Sequence, residues 1–186
     1  MGQDKGLLRL GEERLIERVV GRLEALSDDV MVVTNHPEVY GFLRERVRFV
    51  RDITGPGQGP LAGIASALTA AGHPRVLIVA TDMPFLNIPL LRYLAQLNPS
   101  ADVVVPVVAE DGFPETLHAI YSKGALPAIE AQLATGRRKI TKFFPHVQVR
   151  FVPRSEIAPL DPDFRSFFNA NTPAEWEAAE RMFERQ

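Results

Sequence analysis

The 186-residue sequence contains no cysteine. That excludes disulfides, thiolate nucleophiles and cysteine-ligated zinc, and it is compatible with a reducing cytoplasm, where this protein is expected. No apolar run approaches the length of a membrane span. The start, Met1-Gly2-Gln3-Asp4-Lys5, lacks a signal-peptide core, and Gly6 breaks the myristoylation pattern. Charge of one sign is also missing. With 21 Lys and Arg against 23 Asp and Glu, the formal net charge is −2, so there is no basic tract of the kind nucleic acid attracts. The one basic cluster, Arg137, Arg138, Lys139 and Lys142, suits a few phosphates better than a duplex. Neither nucleic acid nor membrane is expected as a partner. The four histidines, His36, His73, His118 and His146, show no metal-ligand spacing and suggest no nucleophile–base pair.

What is present reads as a globular chain, with 46% hydrophobic and 24% charged residues. Its length suits one domain that can bury a substantial core. Runs rich in Val and Ile predict strands over Val30–Thr34, Arg48–Arg51, Val76–Ala80, Val103–Val108, Leu117–Tyr121 and Val147–Val152. Several are continuously apolar, as strands covered on both faces are. Helical spacing predicts helices over Arg14–Leu26, Leu61–Ala71, Pro89–Leu97 and Ala125–Ala134. A last helix should start with Thr172 as cap, Pro173 at the first position and Glu175 completing a capping box. Alternation of strand and helix implies an α/β fold with three layers (α/β/α), a mostly parallel sheet and right-handed crossovers. The Pro-rich stretch Pro153–Pro162 reads as a surface connection.

In open parallel sheets ligands bind outside the carboxyl ends of the strands, so residues following strand runs carry the information. Thr81-Asp82-Met83-Pro84 comes first. A carboxylate at the end of a buried strand is costly unless something pairs with it, and Mg²⁺ takes one or two carboxylates plus substrate phosphates. The other role, capping a helix near Pro89, is weaker because Asp82 lies several residues too early. Gly55-Pro56-Gly57-Gln58-Gly59-Pro60-Leu61-Ala62-Gly63 follows Asp52 and opens a helix. Its glycines allow close backbone approach to a ligand, and a helix start favours anions or polar edges. It is neither a Walker A loop nor a dinucleotide fingerprint, and a ligand-free turn is an equal reading. In Phe168-Asn169-Ala170-Asn171-Thr172-Pro173, alternation places Asn169 and Asn171 on one side. They suit a ligand or metal-bound water, though Asn171 serves nearly as well as a helix cap. Lys5 alone reads as a surface charge, and His118 as a packed histidine within a strand.

Together these residues resemble the molybdenum cofactor guanylyltransferase family, whose members share a Rossmann-like nucleotide-diphospho-sugar transferase fold. Met1–Leu8 resembles the end of the family's G-G-x-S-x-R-M-G-x-D-K-x-L-L signature. Gly59–Gly63 resembles its guanine-contacting loop, and Thr81–Phe85 its metal-binding D-x-P turn. Pro114–Tyr121 resembles a P-x-x-x-H-A-x-Y strand, and Phe168–Glu175 the closing N-x-N-T-P-x-E motif. The order and spacing of five motifs are specific where each alone is not.

The resemblance implies GTP and molybdopterin, or Mo-molybdopterin, as substrates and Mg²⁺ as cofactor. Lys5 would contact the triphosphate and offset developing charge. Asp82 would hold Mg²⁺, and with Lys5 would form the catalytic pair. Asp52 and residues Gly59, Pro60, Leu61, Ala62 and Gly63 would help select guanine. Asn35 would contact nucleotide, while Asn169 and Asn171 would lie near the acceptor and metal. Transient contact with cofactor-delivery and molybdoenzyme proteins would follow. The family's first strand and L-A-G-G phosphate loop would precede Met1. The expectation is thus one nucleotidyltransferase domain over residues 1–186, N-terminally incomplete, with a gap beside the strand leading into Asp82. Two alternatives stand beside this reading: a related nucleotidylyltransferase using CTP or another phosphate acceptor, and a non-catalytic molybdopterin- or nucleotide-binding protein.

Overall fold

The computed structural model describes residues 4–52 and 59–184. Near the start, β1 (Arg9–Leu10) and β2 (Glu13–Arg14) form a short antiparallel hairpin turning at Gly11. Gly11 has φ +66°, and a Cβ there would lie 2.6 Å from the Phe183 ring, so only glycine fits. Two-residue strands carry no detectable alternation, and this hairpin was not expected from the sequence.

Helix α1 (Leu15–Glu24) buries Leu15, Ile16, Val19 and Val20, one stripe at helical spacing. Strands β3 (Met31–Val33) and β4 (Arg48–Val50) pair in parallel. Helix α2 (Pro60–Ala70) is apolar on nearly every side and correspondingly buried. Its one buried hydroxyl, Ser66 Oγ, donates to the Ala62 carbonyl at 2.9 Å.

The main sheet holds β5 (Arg75–Val79), β6 (Val103–Val107), β7 (His118–Ser122) and β8 (Val149–Pro153), in the order β5-β7-β6-β8. β6 and β8 pair in parallel, and β7 runs antiparallel to both β5 and β6. Three of the four strands therefore run one way. The exception, β7, pairs between β5 and β6 and reverses the local direction.

Side-chain alternation divides the core. Val103, Val105, Ala119 and Tyr121 face α2 and α4 (Leu126–Ala134). Val104, Ile120 and Val152 face α3 (Ile88–Gln96) and the short α5 (Arg154–Ile157). Helices on both faces make the three expected layers. All six sequence-predicted strands form, with ends shifted by a residue or two. Pro153–Pro162 differs from the surface connection expected: it contains α5, whose Ile157 is fully buried. Prolines flanking a single helical turn masked its one core anchor. Helix α6 (Pro173–Phe183) starts as expected, with Thr172 accepting from the Glu175 N–H and Glu175 accepting from the Thr172 N–H.

One buried-looking strand is less buried than its composition suggests. Every residue of β5 is only partly buried, whereas the facing residues of β6 and β7 are closed off. The reason is a cavity of about 830 Å³ between β3 and β5, lined by apolar side chains including Val20, Val32, Ile64, Val76 and Ile78. Among the described residues no helix is long and apolar enough to cross a membrane.

Candidate active site

Lys5 lies in a single 3-10 turn, Lys5–Leu7, fixed at its entry by Asp4. One Asp4 oxygen accepts from the Gly6 N–H at 3.1 Å, and the other accepts from the Tyr40 hydroxyl. Burial and the Asp4 carboxylate push the Tyr40 hydroxyl well above its ordinary range, so it stays a proton donor. No pattern in the sequence pointed to Tyr40, which anchors the turn from 36 residues away.

From this turn the Lys5 ammonium reaches two distant segments. Its Nζ lies 3.8 Å from Asp82 Oδ2 and donates to the Asn171 side-chain oxygen. The Lys5 and Asp82 side chains are 34% and 19% exposed, open enough for a ligand and closed enough to strengthen their attraction. Asp82 follows β5, at the strand's carboxyl end. Its proposed competing role is filled by another residue: the cap of α3 is Asn87, whose side chain accepts from the Leu90 N–H at 2.9 Å. Asn171 likewise does not cap α6, because Thr172 does. Its N–H donates to Glu175 Oε2 at 2.9 Å. Hydrogen bonds from Thr172, then from the Asn171 N–H and the attraction of Lys5, hold the Glu175 carboxyl below the usual carboxylate range.

Asn169 is placed differently. Its amide donates to the Phe167 carbonyl at 3.3 Å, while the neighbouring Ala170 N–H donates to the Asp82 carbonyl at 3.1 Å. Beneath these contacts a small core joins Leu10, Leu15, Phe85, Ala170 and Ala179. Hairpin, α1, Asp82 turn and closing motif thus share one apolar support.

A second group lies at the carboxyl ends of β3 and β4, where the Asn35 side-chain oxygen accepts from the Asp52 N–H at 3.2 Å. Gly63 sits against β3, a Cβ there lying 4.0 Å from Val33. Gly59 is exposed, with φ +79°, and opens α2. Leu61 and Ala62, expected to contact nucleotide, are fully buried, backbone included, and the Ala62 N–H already donates to the Gly59 carbonyl at 3.2 Å; Gly59, Pro60 and Gly63 are the residues of this loop with surface to offer a ligand. The expected loop residues Gly55–Gln58 lie outside the described residues.

Among the described residues no three His, Asp or Glu side chains gather as a metal cage. A divalent ion would fit Asp82 as a single protein carboxylate completed by substrate phosphates, the habit of Mg²⁺.

The profile of the MobA-like NTP transferase domain matches residues 1–149. The chain belongs to that family. It is 39% identical over 184 residues to a probable molybdenum cofactor guanylyltransferase of Pelotomaculum thermopropionicum, covering 99% of this chain and 87% of the relative. A probable molybdenum cofactor guanylyltransferase of Carboxydothermus hydrogenoformans is 37% identical, at 98% and 90% coverage. The crystal structure of molybdopterin-guanine dinucleotide biosynthesis protein A from Archaeoglobus fulgidus superposes with a TM-score of 0.86 and 28% identity, covering 100% of this chain and 93% of that one. A cytidylyltransferase structure from Thermus thermophilus, at 16% identity and TM-score 0.70, shares the fold alone. The MobA-like family is one of nucleotidyltransferases, whose chemistry generally uses a divalent metal.

Proposed function

We propose that this chain transfers GMP from GTP to the terminal phosphate of molybdopterin or Mo-molybdopterin. A phosphate oxygen of the pterin attacks the α-phosphorus of GTP. The bond from that phosphorus to the oxygen bridging to the β-phosphate breaks, and pyrophosphate leaves. The acceptor phosphate is already ionised, so no general base is required, which agrees with the absence of a catalytic-looking His or Cys. The observation that carries the reading is the meeting of Lys5, Asp82 and Asn171 from three distant motifs. Lys5 neutralises charge gathering on the triphosphate, an effect that needs position more than covalent chemistry. Asp82 would hold Mg²⁺, which would supply further charge neutralisation at the phosphates. Asn171 orients Lys5, and Asn169 lies on the acceptor side. Asn35, Asp52 and the loop residues Gly59, Pro60 and Gly63 form the guanine end, where the Asp52 carboxylate suits the N–H edge of that base.

The reaction belongs to the cytoplasm, where GTP is available, with transient contacts to proteins that deliver the pterin and receive the product. The test pairs binding with turnover. GTP with Mg²⁺ should raise Tm more than CTP, ATP or UTP does, and molybdopterin should then trigger pyrophosphate release. A preference for CTP defeats the guanylyl assignment. Affinity for molybdopterin without pyrophosphate release favours a non-catalytic binding role.

A further inference from the structure

The Asp82 turn and the Asn169–Asn171 segment are far apart in the chain, yet buried polar contacts fasten one to the other. Ser166 is at their centre. Its Oγ accepts from the Asn87 N–H at 3.0 Å, and its own N–H donates to Asp161 Oδ2 at 3.0 Å. The same hydroxyl lies 3.4 Å from His118 Nε2. His118 Nδ1 is buried with no hydrogen-bond partner among the described residues, so the contact with Ser166 is the one hydrogen bond available to the ring.

Asn87 completes the join. Its side chain caps α3 and also donates to the Leu160 carbonyl at 2.9 Å. His118 packs against Phe167 with ring centroids 4.5 Å apart, and Phe85 against Phe168 at 6.0 Å. Ser166 and His118 are both fully buried. A hydroxyl and an imidazole in an apolar interior carry a desolvation cost that alanine and phenylalanine would not. Above them the Ala170 N–H donates to the Asp82 carbonyl at 3.1 Å, and the Ser166 contacts brace that join from below, between the turn that presents Asp82 and the backbone that presents Asn171.

We propose that Ser166, backed by His118, is a positioning residue that holds the Asp82 turn in register with Asn171 and so with Lys5. The proposal rests on the reading of Asp82 and Asn171 as site residues. A fault of less than an ångström here would move the carboxylate relative to Lys5 without unfolding the protein.

The experiment uses Ser166→Ala, His118→Phe, the double variant, His118→Gln and Asp82→Asn. It measures kcat, KM for GTP, Mn²⁺ affinity in the presence of GTP by the EPR signal of free Mn²⁺, and Tm. Ser166→Ala and His118→Phe should each lower kcat and weaken Mn²⁺ binding by about tenfold, with KM for GTP rising by no more than about the same factor. The double variant should be no worse than the poorer single one, because both break the same contact. His118→Gln, which returns a hydrogen-bonding amide near Nε2, should recover most of the lost kcat. Additive effects, or Ser166→Ala with unchanged kcat and Mn²⁺ affinity, overturn the proposal. If Ser166→Ala does not fold, the comparison of His118→Gln with His118→Phe decides in the same way, equal losses overturning it. Asp82→Asn separates the two levels. Full activity and Mn²⁺ affinity in that variant sink the site reading itself, whereas an inactive Asp82→Asn beside a fully active Ser166→Ala sinks the positioning role alone.

Discussion

Replacing Lys5 by Met tests whether the contact with Asp82 exists for stability or for chemistry. The two charges lie 3.8 Å apart, which corresponds to an attraction of about 4 kcal/mol at an effective dielectric near 20 and about 1 kcal/mol in water. The ammonium is one-third exposed, and holding a long side chain costs entropy, so the net contribution to folding should be at most about 1 kcal/mol. For a chain of this size that is a Tm change of about 2–4 °C or less. Catalysis draws on Lys5 differently, because charge accumulates on the leaving pyrophosphate only as the reaction proceeds. Loss of one such prepositioned charge should lower kcat/KM by about 10²–10³-fold. Lys5→Arg, which keeps the charge but not the reach, should fall between. The assay is HPLC of guanylylated pterin with coupled pyrophosphate detection, run well below the Tm of each variant. Lys5→Met within about threefold of the parent, or a rate loss matched by unfolding, would refute the assignment of Lys5 to the reacting phosphates.

Other expectations follow from the same geometry. Tyr40→Phe removes the donor to Asp4 and should cost about 1 kcal/mol; the loosened Lys5 turn should raise KM for GTP, and an unchanged KM would dissociate the two. Gly11→Ala meets both the positive φ and the Phe183 ring, and should lower stability by about 1–3 kcal/mol in urea titrations. Burial pushes His118 down to about 3 from 6.5, so below pH 6.5 the unfolded chain takes up a proton that the folded chain refuses. Stability should therefore fall as pH drops toward 3, by about 2 kcal/mol from this group between about pH 6.5 and 5. His118→Phe should flatten that slope by one proton, and an identical slope in the variant would show that His118 does not titrate this way. Thr172→Ala should cost about 1 kcal/mol through loss of the α6 cap, seen as a Tm decrease.

The sequence by itself determined the inventory. Val- and Ile-rich runs are stiff at χ1 and favour the pleated surface, so all six predicted strands form. Thr172, Pro173 and Glu175 wrote the start of α6 through local hydrogen bonding that needs no tertiary partner. Position after a strand end singled out Asp82, and motif order supplied the family resemblance and, through it, Asn35. Tertiary structure alone decided which of these meet. Lys5 reads as a solvated charge until the fold places it between Asp82 and Asn171, the latter 166 residues away. Alternation put Asn169 and Asn171 together, yet the amide of Asn169 turns to its own backbone. The direction of β7 and the anchoring of Lys5 by Tyr40 were also beyond a linear reading. Each depends on contacts between segments remote in the chain, and hydrophobic period records only which face of an element is buried, never what lies against it.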